Sequence, residues 1–315
     1  RASKAMLAAR GKRRAPQVDT SVLTDRNALM ASAYLHTAEA FHDESLKQNA
    51  LDDLESLYAH ARNADGSFFH ELDRQTASVA GLAADQVYMM SALLDAYQAN
   101  GDRKYLDRAA SLSTVIFEGF RDSATGMLKN RAPATAGSVV SQIASQPQVL
   151  FDDPTPAIQA TAAEAFQTLA ALTSDPSDAV DAEQLLRPAT SRIGAMAGPN
   201  NGELGLALEE RSAGEAIVAI AGADNDSRAM DLWKAALASY RPGKVVIRLA
   251  SGDKAAHFPE AMKAMYDAAA HRDAPLAFVC AGTACAPPAS DAAGLARTIH
   301  DFSVNRDGSG KVAAR

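Results

Sequence analysis

The nine residues Asn63–Glu71, NADGSFFHE, decide how the first two thirds of the chain are read. A glycine among polar residues interrupts a helical pattern, and two aromatics follow it directly. Upstream, Leu46, Leu51, Leu54 and Leu57 recur at helical spacing in a segment that ends near Asn63. Downstream, Val87, Met90, Leu94 and Tyr97 predict the next amphipathic helix. The stretch Arg121–Lys129, RDSATGMLK, repeats the pattern, with Gly126 lying 60 residues after Gly66. A third version, GPNNGELGL, brings Gly202 a further 76 residues on.

Between these turns the helices pair. Asp25 to Phe41 places Met30, Tyr34, Thr37 or Ala38, and Phe41 on one face. Tyr105, Ala109, Leu112, Ile116 and Phe120 form another stripe, and Asp102 before it is a natural N-cap. Ile158, Ala165, Leu169 and Leu172 open a third hairpin that runs to about Gly198. Three helix–turn–helix units of this length predict a mainly α chain forming a solenoid or part of an α/α toroid. A closed toroid needs about twice as many hairpins, so the expectation is an arc with exposed apolar flanks.

After Arg211 the pattern changes. Glu215–Gly222 (EAIVAIAG), Lys244–Ala250 (KVVIRLA) and Leu276–Gly282 (LAFVCAG) are short apolar runs. Helical stretches at Ser227–Tyr240, Pro259–Ala270 and Ala292–Phe302 alternate with or follow them. This predicts a small α/β module with a short parallel sheet, giving an α-hairpin region over 1–211 and the module over 212–315. The polar connection Pro133–Pro156 is long enough to line a site or to move.

Composition excludes some functions. With 315 residues, 47% hydrophobic, 22% charged and a formal net charge of −7, the chain is an ordinary globular sequence and no nucleic-acid binder. A basic start (Arg1, Lys4, Arg10, Lys12, Arg13, Arg14) reads as a solvated arm, with a contact to phosphate or an acidic partner left open. No apolar run approaches the roughly 20 residues that span a bilayer, so no membrane insertion is expected. No signal peptide is visible, which favours a cytoplasmic location and leaves periplasmic or organellar ones open; because residue 1 is Arg, the start is read as incomplete.

Four segments, in order, resemble a known family. They are Lys4–Ala33 (KAMLAARGKRRAPQVDTSVLTDRNALMASA), Ala84–Ala109 (ADQVYMMSALLDAYQANGDRKYLDRA), Asp152–Asp175 (DDPTPAIQATAAEAFQTLAALTSD) and Val279–Ile299 (VCAGTACAPPASDAAGLARTI). They are similar to the thioredoxin-domain family typified by spermatogenesis-associated protein 20 and its bacterial relatives. That resemblance implies the back half of a six-hairpin, glycosidase-like α/α barrel similar to N-acylglucosamine 2-epimerase, plus an α/β tail, without the thioredoxin-like domain. The departures are specific. The family's Leu-Thr-x-Trp-Asn-Gly reads Arg26 at the Trp, keeps Asn27, and has Ala28 at the Gly. Its Asp-Tyr pair reads Asp85 and Gln86, and its Ser-Gly-Asn reads Ala157, Ile158 and Gln159. By the resemblance Arg26, Asn27, Asp85, Gln86 and Gln159 line the barrel's cleft, and the lost aromatic and polar turn degrade a sugar-like pocket.

Candidate chemistry outside the resemblance is sparse. Cys280 and Cys285 can form a disulfide or a thiol pair, lacking both the C-x-x-C spacing and a flanking cation. His36, His42 and His70 have acidic neighbours but match no ligand signature. Asp152 and Asp153 could act as acid and base, or cap the helix after them. Asp85 invites the same two readings. The Gly-containing turn in Gly243–Phe258 lacks a phosphate-loop pattern. No metal and no cofactor are expected. Three functions stay open: a non-catalytic interaction or scaffold subunit that completes its barrel with another protein chain, the favoured reading; a carbohydrate epimerase- or hydrolase-like enzyme; and a thiol–disulfide component using Cys280 and Cys285.

Overall fold

The computed structural model describes residues 2–15, 18–73, 76–129, 150–191, 198–223, 225–249, 274–282 and 284–302. After an exposed helix α1 (Ala2–Arg10) come three helical hairpins. They are α2 (Thr24–Phe41) with α3 (Glu44–His60), α4 (Ala83–Asn100) with α5 (Arg103–Val115), and α6 (Ile158–Thr173) with α7 (Pro176–Thr190). A further helix, α8 (Gly202–Ala213), packs beside α6. Helices α2, α4, α6 and α8 are successive neighbours, while α3, α5 and α7 each back onto their own hairpin partner. Among the described residues the result is an inner row of four helices and an outer row of three, an incomplete α/α toroid.

The two rows begin differently. The outer helices start on local aspartates: Asp43 accepts from the Leu46 amide, Asp102 from Lys104 and Asp175 from Ser177. The inner helices α2, α4 and α6 follow Leu23, Leu82 and Ala157, which have no capping side chain to offer. Their first amides therefore need acceptors from elsewhere, and this requirement shapes the site described below.

The expected face of α2 is corrected. Met30 and Phe41 are 51% and 79% exposed, and the buried face is Ala28, Ala31, Leu35 and Ala38. The stripe phased on large side chains misses that close helix packing is made by small ones, here against the alanine-rich α4. Helix α4 is buried on nearly every side rather than amphipathic. The turn glycines Gly66 and Gly126 have φ of +90° and +71°, as their turns require, whereas Gly202 is the first residue of α8 and makes no such turn. The turn after Gly66 also feeds a small antiparallel sheet absent from the sequence reading, β1 (Val22–Leu23), β2 (Glu71–Asp73) and β3 (Thr76–Val79).

The second unit is a four-stranded sheet of order β5-β4-β6-β7, with β4 (Ala216–Ala221), β5 (Lys244–Leu249), β6 (Leu276–Ala281) and β7 (Ala284–Cys285). Only β4 and β5 are parallel; β6 runs antiparallel to β4, and β7 to β6, so the expected parallel sheet is a mixed one. Apolar runs buried on both faces look alike in either direction, and direction is set by connections the hydropathy does not reveal. The expected helix Pro259–Ala270 and most of the Pro133–Pro156 connection lie outside the described residues. Alternate residues divide between two cores. Ile217, Ala219, Val245, Ile247, Leu276 and Phe278 join the helical core, while Val218, Ile220, Val246, Ala277 and Val279 pack on α9 (Ser227–Ala238) and α10 (Ala292–Asp301). The sheet thus covers α4 and α6 on a side the outer helices leave open. Gln98 near the end of α4 accepts from the edge amide of Val246 at 2.9 Å, and its carbonyl accepts from the Trp233 indole at 3.2 Å. Among the described residues no helix is long and apolar enough to cross a membrane.

Candidate functional site at the inner helix N-termini

Asp85, in the first turn of α4, is fully buried. Its carboxylate accepts from the Leu82 amide at 2.7 Å, closing the start of its own helix, and from the Asp25 amide of α2 at 3.0 Å. His70 Nδ1 lies 3.0 and 3.1 Å from the two oxygens. Burial pushes this carboxyl above its ordinary value, while the Leu82 amide and His70 pull the other way. One side chain thus caps two inner helices and ties them to the Gly66 turn. Asp25 in turn accepts from the Arg26 amide at 2.7 Å. Single ligand atoms of Asp25, His70 and Asp85 lie within 4.8 Å of one another, close enough to surround a cation. The Asp85 oxygens already receive N–H groups and His70 faces them directly, which is the arrangement of a hydrogen-bonded staple.

Asp152 repeats the device one step along the row. It accepts from the Ala157 amide at 2.9 Å, entering α6, and from Gly202 and Glu203 at 2.8 and 3.3 Å, starting α8. A Cβ at Gly202 would stand 3.3 Å from the Asp152 carboxylate, a tight contact that the glycine avoids. Tyr88 links α4 to the same region by donating to the Pro156 carbonyl at 2.6 Å; burial and nearby carboxylates raise its phenol to about 12. Capping, rather than a free acid–base pair, is what Asp85 and Asp152 do, while Asp153 is exposed.

The two glutamines expected in the cleft are fully buried. Gln86 accepts from the Phe68 amide at 2.8 Å and donates to the Phe68 carbonyl at 2.9 Å. Gln159 accepts from the Leu128 amide at 2.8 Å and donates to the carbonyls of Gly126 and Leu185 at 3.0 and 2.7 Å. Phe68 and Leu128 each stand two residues after a turn glycine, so each glutamine clamps the equivalent backbone in its own repeat. The placement of Gln86 and Gln159 as cleft-lining residues is corrected accordingly. Asn27 donates to the Leu23 carbonyl, and Arg26 is exposed. Cys280 and Cys285 sit directly opposite across the β6–β7 pair and form a disulfide, with Cys280 1% exposed.

Sequence reasoning missed a second carboxylate group. Glu203 on α8 accepts from the Thr161 hydroxyl at 2.6 Å and lies near Glu164 of α6, whose Oε1 is buried without a hydrogen-bond partner. Burial, with Glu203, Glu210 and Asp152 nearby, pushes Glu164 up to about 10, so it is protonated at neutral pH. Glu203 and Glu210 are raised by burial as well. The available signal was a lone acid in the alanine-rich run Ile158–Thr173. His70 and Asp25 carried none, being brought to Asp85 only by folding.

No protein-family model and no curated protein matches the chain. Among solved structures it is similar to an α-mannanase of glycoside hydrolase family 76 from Bacteroides thetaiotaomicron, with a TM-score of 0.49 and 15% identity over 71% of this chain and 58% of that one. It is also similar to the cellobiose 2-epimerases of Bacillus thermoamylovorans (TM-score 0.46, 14% identity, 54% and 44% covered) and Spirochaeta thermophila (0.45, 17%, 56% and 44%). The match spans less than two thirds of each of these structures. A likeness of this degree carries no argument about activity.

Proposed function

We propose that the chain is a non-catalytic interaction subunit of a larger assembly, related to the thioredoxin-domain family whose motifs it resembles, and that another polypeptide extends its incomplete ring. The observation that carries this reading is the use made of the polar groups at the inner helix starts. Asp152, Gln86 and Gln159 spend their hydrogen bonds on backbone, and Asp85 spends its own on two backbone amides and the His70 ring. A catalytic carboxylate needs an oxygen free to reach substrate. Both ends of the row also keep apolar side chains in water, Met30 and Phe41 on α2, and Val180 and Leu206 on α7 and α8.

Carbohydrate chemistry is the second reading, favoured by the protonated Glu164 beside Glu203. Glu203 is, however, already engaged by the Thr161 hydroxyl, whereas glycoside hydrolysis needs both carboxyls facing the scissile bond. The test is native mass spectrometry of the tagged chain purified from its own cells. A second polypeptide in fixed ratio, cross-linked to α2 or to α7 and α8, is the expected result. A lone monomer that turns over a sugar from a mono- and disaccharide panel would overturn the proposal.

A further inference from the structure

A cavity of about 820 Å³ opens between α3 and α5, within the range of about 300–1,000 Å³ typical of small-molecule sites. None of the capping residues described above lines it. It lies beside the Gly66 turn, where α3 backs onto α2 and α5 backs onto α4. One wall is an aromatic–guanidinium stack. The Arg108 guanidinium lies 3.8 Å from the centre of the Tyr58 ring, and that of Arg62 lies 5.2 Å from it. Arg108 is held and neutralised by two hydrogen bonds to Glu55, at 2.8 and 3.2 Å. Arg62 is exposed and makes no ion pair among the described residues, so it presents an uncompensated fork of donors to the cavity.

The opposite wall is irregular. At its end α5 widens into a π-helical turn, Ile116–Phe120, a feature that recurs at functional sites because it is otherwise unfavourable. Glu118, Gly119 and Phe120 of that turn line the cavity. Gly119 has no atom within 4 Å of where a Cβ would stand, so packing does not demand a glycine there, and its effect is to leave the wall bare. Of the two acids in the lining, Asp65 is occupied by the Ser67 amide and hydroxyl, and Glu118 is exposed. Leu112, Val115 and Phe120 supply apolar surface, and Ser111 and Thr114 supply hydroxyls.

We propose that this cavity binds a small organic anion, a carboxylate or phosphate ester whose charge is taken by Arg62 and whose apolar body lies against Leu112, Val115 and Phe120. The site is independent of the scaffold reading. It is tested by calorimetric titration of the whole chain with benzoate, phenyl phosphate and inorganic phosphate. Saturable binding of benzoate or phenyl phosphate, tighter than that of inorganic phosphate, is expected, and the tighter of the two identifies the anion class. Arg62→Ala should weaken it about tenfold or more, the loss of a charge-assisted pair. Arg62→Lys should retain part of the affinity, and Thr114→Trp, which fills the cavity from an exposed helix position, should abolish it. Arg297→Ala, removing an exposed charge on α10, should change nothing. No saturable binding of either organic anion would overturn the proposal. So would inorganic phosphate binding as tightly as phenyl phosphate, or affinity unmoved by both Arg62→Ala and Thr114→Trp in variants whose circular dichroism matches wild type.

Discussion

Replacing Gln159 by leucine tests the claim that the helix starts are structural. The side chain is fully buried and makes three hydrogen bonds to backbone, at 2.8 Å from Leu128 and at 3.0 and 2.7 Å to Gly126 and Leu185. Leucine is near in volume, so little cavity forms, but three backbone groups, two of them buried, lose a partner. Each such loss costs roughly 1–2 kcal/mol, with the Leu185 carbonyl, inside a helix, at the low end. Burying leucine in place of an amide returns a little, leaving a net destabilisation of about 3–5 kcal/mol. For a chain of this size that is a fall in Tm of about 5–8 °C. Urea unfolding followed by near-UV circular dichroism reads it directly, with Gln48→Leu, an exposed glutamine bonded only to Asp52, as the reference within about 0.5 kcal/mol. A cost below about 1 kcal/mol for Gln159→Leu would refute the clamp, and would return Gln159 to the list of side chains available to a ligand.

Three further outcomes follow from the same geometry. Cys280→Ala with Cys285→Ala should cost about 2 kcal/mol, a limit set by so short a loop, and an unchanged urea midpoint would remove the disulfide's clasp role. Glu164→Gln should raise Tm at pH 7 to 9 and leave it unchanged near pH 4, because burial already keeps the native carboxyl protonated while the unfolded one ionises; equal Tm values across that range would sink the reading. At the junction of α2, α4 and β5, burial raises Glu39 to about 7, Asp95 raises His36 to about 9, and burial lowers Lys244 to about 8. Native Glu39 and His36 hold protons that the unfolded chain releases, so their contribution to stability falls from about pH 4.5 to 9, whereas Lys244 acts oppositely from about pH 8 to 10.5. Glu39→Gln should flatten the decline between pH 5 and 7 in a Tm series, and a profile parallel to wild type would count against it.

Much of the framework was legible because it rests on local rules. Helix stripes such as Tyr105–Leu112 and Leu51–Leu57, the cap at Asp102, and the runs that became β4, β5 and β6 all came through. The phase of α2 did not, because alanines rather than Met30 and Phe41 make its contacts. Strand direction did not either, since β6 is apolar throughout and reads alike both ways. The candidate site was legible only as a set of names. Asp85 and Gln86 were singled out, yet their partners Asp25, His70 and Phe68 are brought to them by folding, and Glu164 and Glu203 meet from different helices.

The repeat itself shows why sequence period and structural equivalence part company. Gln86 lies 20 residues after Gly66, whereas Gln159 lies 33 after Gly126, so no fixed spacing pairs them. Yet both are buried, and both bind the residue two positions past their turn glycine. What the two turns share is a pair of backbone groups that need partners, and a different distance between turn and helix does not change that need. The same logic accounts for Asp85 and Asp152. The inner helices begin on Leu23, Leu82 and Ala157, which cannot cap, and lie beside one another, so one carboxylate can serve two starts. A polar residue at such a position therefore has a folding role whether or not it has another.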